Sequence, residues 1–303
     1  MQHTLKKSYT FNGKGLHTGA VTAMTIHPTG PGSGICFRRT DIGDDAVVNA
    51  LATNVTTTDR GTTISCNGAS VSTIEHLMSA AAALGVDNMM VDIDGPEVPI
   101  LDGSALPYVK AIMTDGLAGQ DAVQRTLVPQ RPFHFKDEAS GATIDIYPSE
   151  ECEMQLTVDF NSKVLGVQSF KYDAAVDYTT QIAPCRTFCF FHELEFLASK
   201  GLIKGGDLDN AIVIVEHPVD DTTLERMRGL FHAEHLEVHE GYLNNLHMHF
   251  PDEIVRHKML DMIGDFALLG APIKGTIIAC KTGHRINTAV CKSLLQSDIL
   301  KLS

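Results

Sequence analysis

Residues 252–266 read DEIVRHKMLDMIGDF. Apolar side chains at Ile254, Val255, Met259, Leu260, Met262, Ile263 and Phe266 recur at helical spacing, which predicts a largely buried helix. The same segment carries His257, Asp261 and Asp265 at intervals of four, with Lys258 alongside. Positions four apart on a helix diverge by only about 40° and lie one turn above each other. His257 and Asp261 can therefore point at one ion, with Asp265 another turn along. Such helical pairs commonly hold zinc from one side. The competing reading is an exposed imidazole–carboxylate pair, worth about 0.2–0.5 kcal/mol. The apolar surroundings count against it, because unpaired buried charge is costly.

Around this helix the order of elements occurs twice. Strands AVTAMTIHP (20–28) and GICFRRT (34–40) come first, separated by Gly and Pro. STIEHLMSAAAALG (72–85) then changes to helical period, with Ser72 or Thr73 as cap and Glu75 in the first turn. A strand NMMVDID and a helix LPYVKAIMTDG close this half. From Arg125 onward, strands TIDIYP (143–148) and EMQLTVDF (153–160) precede a helix expected over 186–202 and a buried strand AIVIV (211–215). The 252–266 helix, strand GTIIACK (275–281) and a helix over 286–298 complete the chain. Strands followed by helices predict an α+β fold of two similar domains, 1–124 and 125–303, each a β-sheet with helices on one face. Residues 216–250 interrupt the second half. This stretch is polar, holds six histidines and has poor periodicity, the pattern of a lid or mobile insertion. His232, His235 and His239 within it are read as solvated loop histidines.

At 303 residues the chain can bury a large core. Its net charge of −13 argues against broad nucleic-acid binding. The longest apolar run, LMSAAAALGV (77–86), is half of the roughly 20 residues a membrane span needs. The N-terminus has no signal-peptide core. Seven cysteines without a framework pattern suit a reducing cytoplasm, and Cys185 and Cys189 are read as packed thiols.

Two further segments can carry chemistry. Glu75 and His76 adjoin at the start of the first half's helix, and a glutamate beside a metal-binding histidine is how zinc hydrolases place a base. The metalloprotease motif is absent: the order is Glu-His, and the position four after His76 is Ala80. A helix-start glutamate favoured by the dipole is the plain alternative. In KTGHRINTA (281–289), His284 follows a strand at a sheet margin, where functional side chains and turn-capping histidines both occur.

Together GLHTG (15–19), STIEHL (72–77), EVPILDGSALP (97–107), RTFCF (186–190), GGDLDNAIV (205–213), VRHKMLDMIGD (255–265) and TGHRIN (282–287) run in family order. Over nearly its whole length the chain resembles the zinc-dependent UDP-3-O-acyl-N-acetylglucosamine deacetylases of lipid A synthesis. The resemblance implies helices of both domains packed together and an active site at the domain interface. It implies one catalytic zinc ion (Zn2+) on His76, His257 and Asp261, with a fourth position left for water. The implied reaction releases acetate and a free amine from the 2-acetamido group of the acylated UDP-amino-sugar. Glu75 would be the general base and Thr187 an oxyanion donor. His284, held charged by Asp265, would protonate the amine. Lys258, Phe160, Phe188, Phe190 and His17 would contact substrate. Without the resemblance, Lys258 would be read as a surface lysine, the phenylalanines as core, and GLHTG and DGS (102–104) as turns. The acyl chain would enter a β–α–β insert near residues 197–215. The resemblance further implies a cytoplasmic enzyme, a monomer as the favoured state, and any membrane contact only through the lipid-like substrate. Some members carry a downstream dehydratase for hydroxyacyl carrier protein, so such a part is either lacking here or removed. The rival class is a non-catalytic module with a structural zinc. Closed coordination would need a fourth protein ligand, and the ligand motifs contain no cysteine.

Overall fold

Burial alternates along the strands Val21–Pro28 and Cys152–Asp159, so each belongs to a sheet with one covered and one open face. A computed structural model describes residues 1–199 and 205–303. Its helices are α1 (Glu75–Leu84), α2 (Leu106–Asp115), α3 (Phe191–Ser199), α4 (Asp221–Phe231), α5 (Glu253–Ala267) and α6 (His284–Leu295), besides a single turn at Tyr178–Gln181.

The first five-stranded sheet has the order Tyr9–Lys14, Val21–Pro28, Met89–Ile93, Ile35–Arg39, Val47–Asn49. The second has the order Phe133–Lys136, Thr143–Tyr147, Gly275–Cys280, Cys152–Asp159, Val167–Tyr172. In both, the central strand is the last to arrive and pairs in parallel with the third. Parallel pairing needs a crossover, and α1 supplies it in the first half as α5 does in the second. The chain then leaves the central strand into α2 or α6. The duplication expected from element order is thus present strand for strand, in an α+β fold.

The two crossover helices pack on each other and join both halves into one apolar core, with Leu77 and Met78 of α1 and Met259, Leu260 and Met262 of α5 buried in it. Small residues permit the approach. Ser79, Ala80 and Ala81 are buried on α1, and a Cβ added to Gly264 of α5 would stand 2.1 Å from the Glu75 carbonyl oxygen.

Two local expectations are corrected. Neither Ser72 nor Thr73 caps α1, whose N-cap is Ile74. The Thr73 hydroxyl donates to Glu97 at 2.8 Å and the Ser72 hydroxyl to the Pro96 carbonyl at 3.1 Å, so both are engaged elsewhere. Residues 186–202 are not one helix. Phe188–Phe190 is a strand paired in parallel with Ile212–Ile214, and α3 begins only at Phe191. The 216–250 segment contains α4, capped by Asp220, whose carboxylate accepts from Thr223 N at 2.8 Å. Met227, Leu236 and Leu243 pack with Phe191, Val213 and Val215 in a separate apolar cluster. Residues 200–204 of the expected acyl-channel insert lie outside the described residues. Among the described residues no helix is long and apolar enough to cross a membrane.

Candidate metal centre and active site

The contact between Gly264 and the start of α1 brings His76 opposite His257 and Asp261. Asp261 Oδ1 lies 3.7 Å from His76 Nε2 and 3.5 Å from His257 Nε2. All three donor atoms fall within 4.8 Å of one another, and all three residues are buried. Ligands of a tetrahedral zinc, at about 2.0–2.1 Å from the ion, stand about 3.3–3.4 Å apart, so small adjustments would seat one. Asp261 Oδ1 is also a buried oxygen without a hydrogen-bond partner, while Oδ2 accepts from Lys258 Nζ at 2.8 Å. An orphaned buried carboxylate oxygen is costly unless something positive meets it.

The imidazoles are prepared in the same sense. His257 Nδ1 lies 3.0 Å from the Cys185 carbonyl, which can only accept, so the proton sits on Nδ1 and the Nε2 lone pair faces the cluster. Burial lowers the His257 pKa, and burial with the neighbouring His257 lowers His76 to about 3. Burial opposes ionisation of Asp261, but Lys258 and the surrounding histidines hold it well below the usual carboxylate range. Two neutral imidazoles and one carboxylate fit a divalent, borderline-soft cation.

A buried carboxyl, Glu75, and an imidazole, His284, flank the cluster. Burial pushes Glu75 up to about 7, against the opposing charge of His284. Its Oε2 accepts from Thr62 N at 3.0 Å, and Oε1 stands 3.8 Å from His284 Nε2. His284 Nδ1 donates to Asp265 Oδ2 at 3.0 Å, leaving Nε2 toward the site. Burial alone would lower His284, but Asp265, Glu75 and Asp261 outweigh it and raise it to about 10. Asp265 is itself held by Asn287 Nδ2 at 2.9 Å and Thr62 Oγ1 at 2.7 Å.

These groups open on a cavity of about 600 Å³. Thr187, Phe160, Phe188, Phe190, Lys258 and His17 line it beside Glu75, His284 and the cluster. Asp265 alone among the expected site residues does not line it, because it lies behind His284. Thr187 is fixed by its amide donating to the Gly103 carbonyl at 2.8 Å. Phe160 meets Phe188 edge-on with centroids 5.3 Å apart, and the Lys258 ammonium lies 5.3 Å from the Phe188 ring centre. Lys258 thus lines the cavity and does not stand on the open surface. Leu194, Leu208, Val213 and Phe231, which belong to the separate apolar cluster, give part of the lining an apolar character. Asp102 Oδ1 accepts from Ser104 N and Oγ, so DGS is a turn.

Sequence reasoning missed Thr62, Asn287 and Arg60. Thr62 and Asn287 orient Asp265, and Thr62 also holds Glu75; Arg60 lines the cavity. Asn287 stands in TGHRIN, three positions after His284, and helical spacing would have found it. Thr62 sits in the threonine-rich run TTTDRGTT and carries no such signal. Among the described residues no other cluster of His, Cys, Asp and Glu has metal-holding geometry; His235 pairs with Glu237 at 3.1 Å. Burial raises the Cys185 thiol and pushes Cys189 up to about 12; Cys185 is buried as a packed thiol should be, whereas Cys189 is half-buried and lines the cavity.

A family model described as UDP-3-O-acyl N-acetylglycosamine deacetylase (LpxC) matches residues 2–230 and 226–296. The chain is 41% identical over 294 residues to a bifunctional enzyme LpxC/FabZ of Bacteroides thetaiotaomicron, covering 97% of this chain and 64% of that relative. It is 38% identical to a UDP-3-O-acyl-N-acetylglucosamine deacetylase of Myxococcus xanthus, covering 97% of this chain and 86% of the relative. A deacetylase of the same name from Neisseria meningitidis serogroup C is 37% identical, covering 98% and 91%. The chain therefore spans 64% of the length of the bifunctional relatives and most of the length of the single-function ones.

Proposed function

The chain belongs to the UDP-3-O-acyl-N-acetylglucosamine deacetylase family, and we propose that it is a zinc-dependent amidase that deacetylates UDP-3-O-(3-hydroxyacyl)-N-acetylglucosamine in lipid A synthesis. The observation that carries the zinc assignment is the unpartnered Asp261 Oδ1 facing two imidazole Nε2 atoms. His76, His257 and Asp261 would hold the ion. A zinc ion there supplies Lewis acidity, polarising the acetamide carbonyl and acidifying water.

The remaining work falls to the chain. Glu75, with its raised pKa, takes the proton from the attacking water as a general base suited to neutral pH. The new C–O bond forms as negative charge grows on the carbonyl oxygen, which the Thr187 hydroxyl meets as a donor. His284 gives the Nε2 proton to the departing nitrogen, so the C–N bond breaks to acetate and amine. Asp265 keeps that imidazole charged through Nδ1. Lys258, Phe160, Phe188, Phe190 and His17 hold the sugar nucleotide, and the acyl chain runs toward Leu194, Leu208, Val213 and Phe231. The same reading includes a division at residue 124/125, a cytoplasmic location and a monomeric protein. Acetate release from this substrate should be present in the purified protein, lost on chelation and recovered on adding zinc. Metal-loaded protein without acetate release would leave a binding module in its place.

A further inference from the structure

We propose that Glu97, which no step above uses, is a positioning residue that holds the His17 loop and the base Glu75 in register. Resting on the function proposed above, it names the device that locates that site's base. Glu97 is fully buried, yet its partners are neutral donors on two separate loops. From GLHTG, His17 N donates at 3.0 Å, Thr18 N at 2.8 Å and Thr18 Oγ1 at 2.7 Å. From the segment entering α1, Thr73 Oγ1 donates at 2.8 Å. Burial would raise this carboxyl, but the donors hold it below its ordinary pKa, so it is an anion gripped by loops.

Gly15 explains the fit, because an added Cβ would stand 2.3 Å from Glu97 Oε2. A side chain there would push the loop off the carboxylate.

Two routes lead from Glu97 to Glu75. The first runs through His17, whose Nε2 donates to the Arg60 carbonyl at 3.0 Å. One residue on, Gly61 packs where a Cβ would stand 2.9 Å from Glu75 Oε1, and Thr62 N donates to Glu75 Oε2 at 3.0 Å. The second runs through Thr73, two residues before Glu75 and at φ 58°, a left-handed conformation that a β-branched residue adopts only when held. Glu97 closes both routes into a ring without lining the cavity.

In Glu97→Gln one oxygen becomes an NH2 that cannot accept, so whichever way the amide sits it faces a donor. Small displacements of a catalytic group are amplified in rate. The experiment compares acetate release, zinc content and amide hydrogen exchange in wild type, Glu97→Gln, His17→Ala and the double variant. The expected result is unchanged zinc content, a fall in kcat of about tenfold or more with a smaller change in KM, and faster exchange at His17 and Thr18. The double variant should lose less than the product of the single losses, since both act through one ring. Unchanged kcat in Glu97→Gln, or losses that simply multiply, would overturn the proposal. Should Glu97→Gln not fold, Thr18→Val removes one hydroxyl donor and should lower kcat about threefold; no change there overturns the proposal equally. An inactive wild type would count against the function proposed above, whereas the exchange comparison tests the tether without it.

Discussion

Gly264 and Glu75 touch where the two halves of the molecule meet: a Cβ on Gly264 would lie 2.1 Å from the Glu75 carbonyl oxygen and 3.2 Å from its Cα. Rigid backbone occupies that space, so Gly264→Ala must push α1 away from α5. Overpacking of this kind costs about 1–3 kcal/mol. The same displacement separates His76 from His257 and Asp261. The variant should unfold at lower denaturant and bind zinc more weakly. Wild-type zinc affinity in Gly264→Ala would show that the helix contact does not set the cluster.

The cluster itself predicts a linkage between zinc and stability. An ion bound only by the folded state stabilises by about 2.7 kcal/mol at a free concentration 100 times its Kd. Zinc should therefore raise the Tm of chelated protein. In Asp261→Ala, which removes the orphaned oxygen, the rise should disappear. An equal Tm shift in wild type and Asp261→Ala would place the ion elsewhere.

Much of this arrangement was legible in the sequence because periodicity and motif agreed. The apolar spacing of α5 fixed which residues face inward, and His257, Asp261 and Asp265 had to share that face. The strands were readable where burial alternates, as in Val21–Pro28. Phe188–Phe190 was not, since its aromatics merge into the helical spacing of α3 and only pairing with Ile212–Ile214 makes it a strand. Thr73 misled for a related reason: it has the side chain of a helix cap, but a carboxylate 24 residues later takes its hydroxyl. Contacts of long sequence separation, such as Thr62 with Asp265, leave no local trace.

Asp265 governs the charge of His284, which gives a pH prediction. His284 is raised from 6.5 to about 10 although burial pulls the other way, and the carboxylates of Asp265, Glu75 and Asp261 account for the rise. A group raised on folding stabilises fully below its unfolded value, and that stabilisation is lost as pH rises through the folded value. The window here runs from about 6.5 to about 10. Asp265→Asn should move the alkaline limb of kcat/KM to lower pH and shrink the alkaline loss of stability. A limb that stays in place would assign it to another group.

Glu253 ties the loop before the strand Phe188–Phe190 to the first turn of α5. Its Oε1 accepts from Arg186 N at 3.0 Å and Nε at 2.9 Å, and Oε2 accepts from His249 N at 2.6 Å and Arg186 Nη2 at 3.2 Å. Both charges are buried, so removing one strands the other, at a cost of about 3–5 kcal/mol. The stranded segment carries Cys185, whose carbonyl fixes the His257 tautomer, and Thr187, which lines the cavity. Glu253→Ala should therefore lower stability by that amount and weaken zinc binding, although residue 253 touches neither ion nor cavity. Glu253→Gln keeps an acceptor for Arg186 and should recover part of both. Equal losses in the two variants would mean that the charge, rather than the bonding geometry, anchors this end of α5.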